Sequence, residues 1–207
     1  MRKYLSLFLV TVLLLTLTPM LALGQGTTIA GTPREQTLVV DPLIGRTGNP
    51  YQCNPYMHGT ALDNGLIQTM FSCLWEINTI TGEQYPDLAA SFPEPLNDDL
   101  TSFKVMIREG LKWSDGETFD ANDVVYTFNM LLENKDNIGM GASLATYIKD
   151  VQLVNDYEII INTLYSYPKL SQTLGVTVWS NGFRPVPEHV FSKMDILTDP
   201  WSDPIGV

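Results

Sequence analysis

Hydrophobic positions in the middle of the chain follow two different periods. From Phe103 to Arg108, apolar and polar residues alternate, and this period of two is typical of a half-buried strand. After Phe119 the spacing changes to three or four residues, which is the period of one helix face. The apolar positions of this second pattern are Val124, Val125, Phe128, Leu131 and Leu132. The change of period predicts a strand followed by an amphipathic helix.

The residues between the predicted strand and helix carry turn and capping signals. Ser114-Asp115-Gly116 is typical of a turn, because glycine takes a positive φ at little steric cost. Asp120 lies where a helix N-cap is expected, and its carboxylate can accept the otherwise unpaired amide of Asp123. Both carboxylates also lie where the helix macrodipole favours negative charge. The stretch therefore predicts strand, turn and capped helix in that order.

Three more segments have clear periods. The apolar spacing from Leu62 to Trp75 predicts a helix. Lys149–Val154 and Glu158–Leu164 predict a hairpin, whose Asn155-Asp156 pair is expected to supply positive φ at the turn. A short helix is expected near residues 170–174.

The first 24 residues resemble a targeting segment. Arg2 and Lys3 precede an apolar run from Leu5 to Leu17, and Ala22-Leu23-Gly24 offers the small residues that signal peptidase requires. An uncleaved membrane anchor is the alternative, although the run falls short of the roughly 20 apolar residues that a span needs. We expect residues 1–24 to be a signal peptide and the protein to be exported. No cysteine follows the small residues, so a lipid anchor is not indicated.

Charge restricts the classes of partner. The whole chain has a formal net charge of −11. Removal of residues 1–24 takes away two positive charges, so the remaining 183 residues (207 minus 24) carry −13 (−11 minus 2). An acidic exported chain is a poor candidate for binding nucleic acid or an anionic membrane surface. With 44% hydrophobic and 10% aromatic residues, its composition is that of a globular protein with a sizeable core.

Cys53 and Cys73 are the two cysteines of the chain. An exported protein meets an oxidising compartment, which favours a disulfide between them. A pair of buried thiols is the other interpretation, and it suits Cys73 on the apolar face of the predicted helix. Metal binding by the two cysteines is not indicated, because His58 and His189 are remote in sequence and no close ligand spacing accompanies them.

The stretch from Arg108 to Val125 also carries a family resemblance. Its sequence, REGLKWSDGETFDANDVV, closely resembles the signature of the family 5 extracellular solute-binding proteins, the peptide, dipeptide and nickel receptors of ABC importers. Asp120 replaces a threonine that is commoner in the family, and both residues are good N-caps. The structural signature positions are Gly110, Trp113, Asp115, Gly116, Asp120 and Asp123.

Three further segments are similar to the family in the expected order. They are Pro86-Asp87-Leu88-Ala89, the hairpin sequence from Val151 to Ile159, and Arg184-Pro-Val-Pro-Glu-His-Val-Phe. The last resembles a helix start of the family, so His189 is interpreted as a structural residue. Family members are more than twice as long as this chain.

The resemblance implies an α/β fold of the periplasmic-binding-protein-like type, class II, with two lobes and an extra subdomain. The chain would be truncated to the N-terminal part of lobe 1 plus its subdomain, an α/β layer in which the signature helix covers a mostly antiparallel sheet. The implied divisions are a signal peptide (1–24), a disordered leader (25–36), the first strand and cleft loop of lobe 1 (37–55), the subdomain (56–195) and the start of the return to lobe 1 (196–207).

The implied function is that of the substrate-binding component of an ABC importer. It would bind a solute, with peptides as the first-ranked class, in the interlobe cleft and deliver it to the permease without a cofactor. It would work in the periplasm or outside the cell, associated with the membrane through the permease. The loop that passes along the cleft gives four ligand-contact candidates, Asn49, Tyr51, Asn54 and Tyr56; each can equally be a turn residue that packs on its own lobe.

Two other functions fit the same composition. An exported hydrolase could use Asp115, Glu117, Asp120 and Asp123, but acid and base work requires two carboxyls with unequal environments in one cleft. Asp120 and Asp123 already have capping roles, and no Ser/His/Asp or Cys/His grouping is visible. We therefore expect a binding protein and no enzyme. A receptor that senses a ligand without transporting it is the second alternative.

Overall fold

A computed structural model describes residues 52–57, 71–78, 80–175, 182–203 and 205–206. Two short strands come first, β1 (Trp75–Ile77) and β2 (Gln84–Pro86), followed by β3 (Glu94–Pro95) and β4 (Ser102–Met106). The helices α1 (Ala121–Glu133) and α2 (Gly139–Leu144) precede a hairpin of β5 (Ile148–Asn155) and β6 (Glu158–Thr163). The short helices α3 (Leu170–Leu174) and α4 (Glu188–Phe191) complete the described elements.

Strands β3 to β6 form one antiparallel sheet in the order β3-β4-β6-β5. The alternation that predicts β4 is confirmed, because Phe103, Val105 and Ile107 are at most 3% exposed. Val105 pairs with Ile159 of β6, which is fully buried as well. The buried positions of both strands therefore lie on one face of the sheet.

The β5–β6 hairpin is confirmed, but its turn works differently from the prediction. The described non-glycine residues with positive φ are Leu100 and Trp201, so neither Asn155 nor Asp156 has one. Instead, the Asn155 side chain accepts a hydrogen bond from the amide of Tyr157 at 2.9 Å. This local bond closes the turn through the asparagine side chain.

Helix α1 covers the buried face of the sheet and packs against β5, β6 and α2. Val124, Phe128 and Leu131 are fully buried, as the helical period predicts, whereas Val125 and Leu132 are partly buried. Phe128 stacks on Phe183 with ring centroids 3.9 Å apart. The start of the helix is tied to the hairpin, because the amide of its first residue, Ala121, donates to the carbonyl of Asp156 at 2.8 Å.

Helix α2 approaches the backbone of α1 very closely at one residue. A Cβ atom placed on Gly141 would lie 2.0 Å from the carbonyl oxygen of Leu131. Gly139, at the start of the same helix, has no neighbour within 4 Å of such a Cβ. Glycine at position 141 therefore sets the distance between the two helices.

The helix predicted from Leu62 to Trp75 is wrong at its C-terminal end. Residues 71–74 have no helical structure, and Trp75 begins β1, which pairs with β2. The reason is tertiary, because the carbonyl of Leu74 accepts hydrogen bonds from the amides of Asp87 and Ala89. Residues 62–70 lie outside the described part, as do the predicted signal peptide, leader and first strand. In the described part of the chain, no helix has both the length and the hydropathy that crossing a bilayer requires.

Candidate functional site

Asp120 is the N-cap of α1, as the sequence predicts. Its carboxylate accepts a hydrogen bond from the amide of Asn122 at 2.8 Å. The carboxylate of Asp123 reaches back to the amide of Asp120 at 3.3 Å, which completes a capping box. The two acidic residues therefore satisfy backbone donors that the first turn of a helix leaves unpaired.

Replacing Asp120 with alanine is expected to lower the free energy of unfolding by about 0.5–2 kcal/mol, because the cap and a favourable dipole charge are lost. Urea titration of the chain measures this change. Asp120→Thr is the matched control, since threonine is also a good N-cap and should retain most of the stability. A change near zero for Asp120→Ala would contradict the capping role.

Asp123 also joins three separate parts of the chain. Its carboxylate accepts hydrogen bonds from the indole Nε1 of Trp113 at 3.0 Å and from the amide of Glu188 at 2.9 Å, in addition to the amide of Asp120. Asp123 is 5% exposed, and burial raises its pKa while these hydrogen bonds oppose the rise. The signature turn, α1 and α4 are therefore held to one buried carboxyl group.

The turn of the signature is linked to α4 as well. Asp115 lies 2.8 Å from Nε2 of His189, and this bond holds the pKa of Asp115 below its ordinary value. Gly110 and Gly116 have φ values of 79° and 97°, which a residue with a side chain adopts only with strain. The signature residues thus have roles in the fold, and His189 has a structural partner.

A hollow of about 340 Å³ lies beside the start of α1. Carboxylates line this hollow, so it is the place where the carboxyl groups of the hydrolase alternative would have to act. Two of them, Asp120 and Asp123, accept hydrogen bonds from the main chain, and the lining imidazole of His189 bonds to Asp115. Among the described residues, no group of three His, Cys, Asp or Glu is placed to hold a metal ion. Asp120, Asp123 and His189 thus have partners within the protein and contribute to the fold.

The segment 52–57 contains two of the four predicted ligand contacts. The side chain of Asn54 is fully buried, donates to the carbonyls of Ile196 and Asp199, and accepts from the amide of Tyr56. The hydroxyl of Tyr56 donates to the carbonyl of Arg184. These bonds attach the segment to parts of the chain 128 to 145 residues away. Asn49 and Tyr51 lie outside the described residues, and the ligand role of all four stays a prediction.

Cys53 and Cys73 are both buried, with exposures of 9% and 0%, and the structure holds them as thiols. Burial raises the pKa of both, that of Cys73 to about 12. A buried thiol with a raised pKa stays protonated at neutral pH, and the protonated form is a poor nucleophile.

We expect neither cysteine to react with iodoacetamide in the folded protein, and both to react after denaturation without a reductant. Mass spectrometry counts the modified thiols. Ala142→Cys is the control, because residue 142 is exposed and its thiol should be modified in the folded state. Protein that remains unmodified after denaturation would show that the two residues form a disulfide.

Arg184 is a residue of this region that the sequence reasoning did not select. Its side chain is 3% exposed, and its Nε is buried without a hydrogen-bond partner. Arginine is seldom fully buried unless it is paired. A signal was present in the sequence, because Arg184 is the one charged residue among the apolar and proline residues that run from Phe183 to Pro187.

Known proteins resemble a large part of this chain. A family model described as bacterial extracellular solute-binding proteins, family 5 Middle, matches residues 83–206. Protein XP55 of Streptomyces lividans is 30% identical over 125 residues, which are 60% of this chain and 21% of XP55. The oligopeptide-binding protein AppA of Bacillus subtilis is 28% identical over 138 residues, which are 66% of this chain and 24% of AppA. The chain thus spans about a fifth to a quarter of these curated relatives.

A solved structure gives the same result at the level of the fold. CtaP of Listeria monocytogenes, an ABC transporter substrate-binding protein, superposes with a TM-score of 0.60 and 26% identity. The match covers 78% of this chain and 31% of CtaP. The predicted fold class is confirmed by this likeness. Because the family model matches more than half of its residues, the chain belongs to the bacterial extracellular solute-binding proteins of family 5.

Proposed function

We propose that this chain belongs to a receptor that binds peptides in a cleft between two lobes and delivers them to an ABC permease. The observation that carries the proposal is the family match from residue 83 to residue 206. Members of the family are solute-binding proteins and not enzymes, so the role of a binding protein follows from membership. Peptides are favoured as the solute because AppA, one of the relatives, is an oligopeptide-binding protein.

The use of the signature residues supports a binding role. The polar groups of three signature residues form hydrogen bonds with one another and with the backbone. These residues are Trp113, Asp120 and Asp123. Residues used in this way produce a rigid body, and a rigid lobe is what a receptor needs if closure is to bring two walls together around a solute. Solute recognition is then left to loops at the edge of the lobe.

The segment 52–57 is our choice for such a loop. Asn54 fixes its position through three hydrogen bonds to main-chain atoms, while Tyr56 is partly buried, with its hydroxyl on the carbonyl of Arg184. An aromatic ring offers a flat apolar surface at modest entropy cost, which suits contact with peptides of varied sequence. In this proposal Asn49, Tyr51 and Tyr56 contact the solute, and Asn54 contributes by holding the loop.

Calorimetric titration with a mixed peptide library tests the proposal. The 207-residue chain is compared with a protein that continues through the downstream reading frame. We expect micromolar or tighter binding by the longer protein only, because most contacts and most exclusion of water require the second wall of the cleft. Micromolar binding by the 207-residue chain itself would contradict the two-lobed proposal. Failure of the longer protein to bind peptides, together with binding of a sugar or a nickel complex in the same assay, would contradict the choice of solute.

A further inference from the structure

Among the described residues, no carboxylate lies within ion-pair distance of the buried guanidinium group of Arg184. The ion pairs within 4.0 Å in the described part of the chain are Lys104–Glu94 and His189–Asp115, and neither includes Arg184. The hydrogen bond described for the side chain runs from Nη1 to the carbonyl of Gly182 at a long 3.4 Å. An ion that loses its hydration without gaining a partner raises the free energy of the folded state.

Three titratable side chains lie close enough to the Arg184 guanidinium to be affected by its charge. Burial raises the pKa of Tyr56, Cys73 and Glu76, and the positive charge of Arg184 opposes the rise in each case. Glu76 is the carboxyl group among the three, but it lies beyond ion-pair distance and accepts a hydrogen bond from the amide of Cys73 at 3.3 Å. The side chain of Arg184 is 3% exposed and its Nε is buried, so its charge acts on these three groups through little intervening water.

The geometry of the guanidinium restricts the shape of that anion. Nη1 is directed to Gly182, and Nε lies on the other edge of the planar group without a partner. On that edge, the N–H of Nε and one N–H of Nη2 are parallel, and their separation matches the two oxygen atoms of a carboxylate. A planar carboxylate can satisfy both donors at once.

We infer that Arg184 anchors a carboxylate group of the solute. The inference rests on the proposed function, and the position of the residue supports it, because the hydroxyl of Tyr56 in the proposed contact loop donates to the Arg184 carbonyl. A single carboxylate is favoured over a polyanion, because a chain with net charge −11 repels multiply charged anions. The unpaired state of Arg184 is a stability cost that solute binding offsets.

Thermal unfolding of this chain tests the anchor with acetate as the probe, in sodium chloride and in sodium acetate of equal ionic strength. In chloride, Arg184→Met is expected to raise Tm by about 2–8 °C, because an apolar side chain of similar length replaces an unpaired buried charge. For the unchanged chain, Tm should be about 2 °C or more higher in acetate than in chloride, whereas Tm of the variant should be the same in both salts. Arg108→Met is the control, because Arg108 is an exposed arginine. Its replacement should change neither Tm in chloride nor the increase in Tm that acetate causes.

Two results would overturn the inference. A fall in Tm for Arg184→Met, with Arg108→Met unchanged, would mean that the guanidinium already has a partner in solution. An equal increase in Tm by acetate for the unchanged chain and for Arg184→Met would mean that acetate stabilises the protein without binding at Arg184. If Arg184→Met does not unfold cooperatively, Arg184→Gln takes its place. This substitution replaces the charged group with a neutral amide, and it should abolish the acetate effect as well.

The source of the carboxylate is tested separately in the longer protein. Peptides with a free C-terminal carboxylate should bind at least tenfold more tightly than the same peptides with an amide there, and Arg184→Met should abolish the difference. Equal affinity for both forms would assign the carboxylate to the protein itself and overturn the assignment to the solute. Because the acetate experiment requires no peptide binding, failure of the anchor and failure of the proposed function give different results.

Discussion

Replacing Asp123 with alanine is expected to lower the free energy of unfolding by about 2–4 kcal/mol. The substitution removes the acceptor of three hydrogen bonds, and the indole N–H of the buried Trp113 would be left without a partner. An unsatisfied buried donor costs more than the net value of the hydrogen bond that it loses. Urea unfolding followed by tryptophan fluorescence measures the change, because the buried Trp75, Trp113 and Trp201 become exposed on unfolding.

Asp98→Ala is the control for this substitution, because it removes the same charge from an exposed position. We expect its effect to be within about 0.5 kcal/mol. A similar small effect for Asp123→Ala would show that the signature turn, α1 and α4 do not depend on the shared carboxyl group.

Gly141→Ala is expected to destabilise the fold by about 2–3 kcal/mol. The added methyl group would lie 2.0 Å from the carbonyl oxygen of Leu131, and both partners are backbone atoms of packed helices. Neither helix can relieve the clash by rotating a side chain, so α2 must move away from α1. Thermal unfolding should show a lower Tm, and the helical circular dichroism signal should be largely kept.

Gly139→Ala is the matched control in the same helix. A Cβ at this position has no neighbour within 4 Å, so the substitution should stabilise the chain by about 0.4–1 kcal/mol through the reduced entropy of the unfolded state. Equal effects of the two substitutions would contradict the close contact between α1 and α2.

The elements that the sequence predicts correctly depend on neighbours in the chain. β4, the cap at Asp120, α1 and the β5–β6 hairpin each follow from a period or from residues within a few positions. The family signature could be recognised for the same reason, because it lies in one continuous stretch. The cap at Asp120 could be predicted for the same reason, because its partners lie within three residues.

The rest depends on partners that are distant in sequence. Asp123 receives the amide of Glu188 from 65 residues away, and Asp115 meets His189 across 74 residues. Trp75 pairs in β1 with β2, where the sequence predicts the end of a helix, for a similar reason. Arg184 shows the limit most clearly. The apolar and proline residues beside it point to burial, but nothing in them indicates that its Nε has no hydrogen-bond partner.

The two edges of the main sheet have a consequence for the way a peptide can be recognised. At one edge, β3 has two residues and ends in Pro95, which has no N–H to donate to a further strand. At the other edge, β5 pairs with β6 with register shifts at both ends, and such irregularities disfavour the docking of another strand. Addition of a peptide as an extra strand is therefore disfavoured at both edges. A receptor built on this sheet would hold its peptide through side chains and loops, so affinity would depend on a few anchored groups and would tolerate many sequences between them.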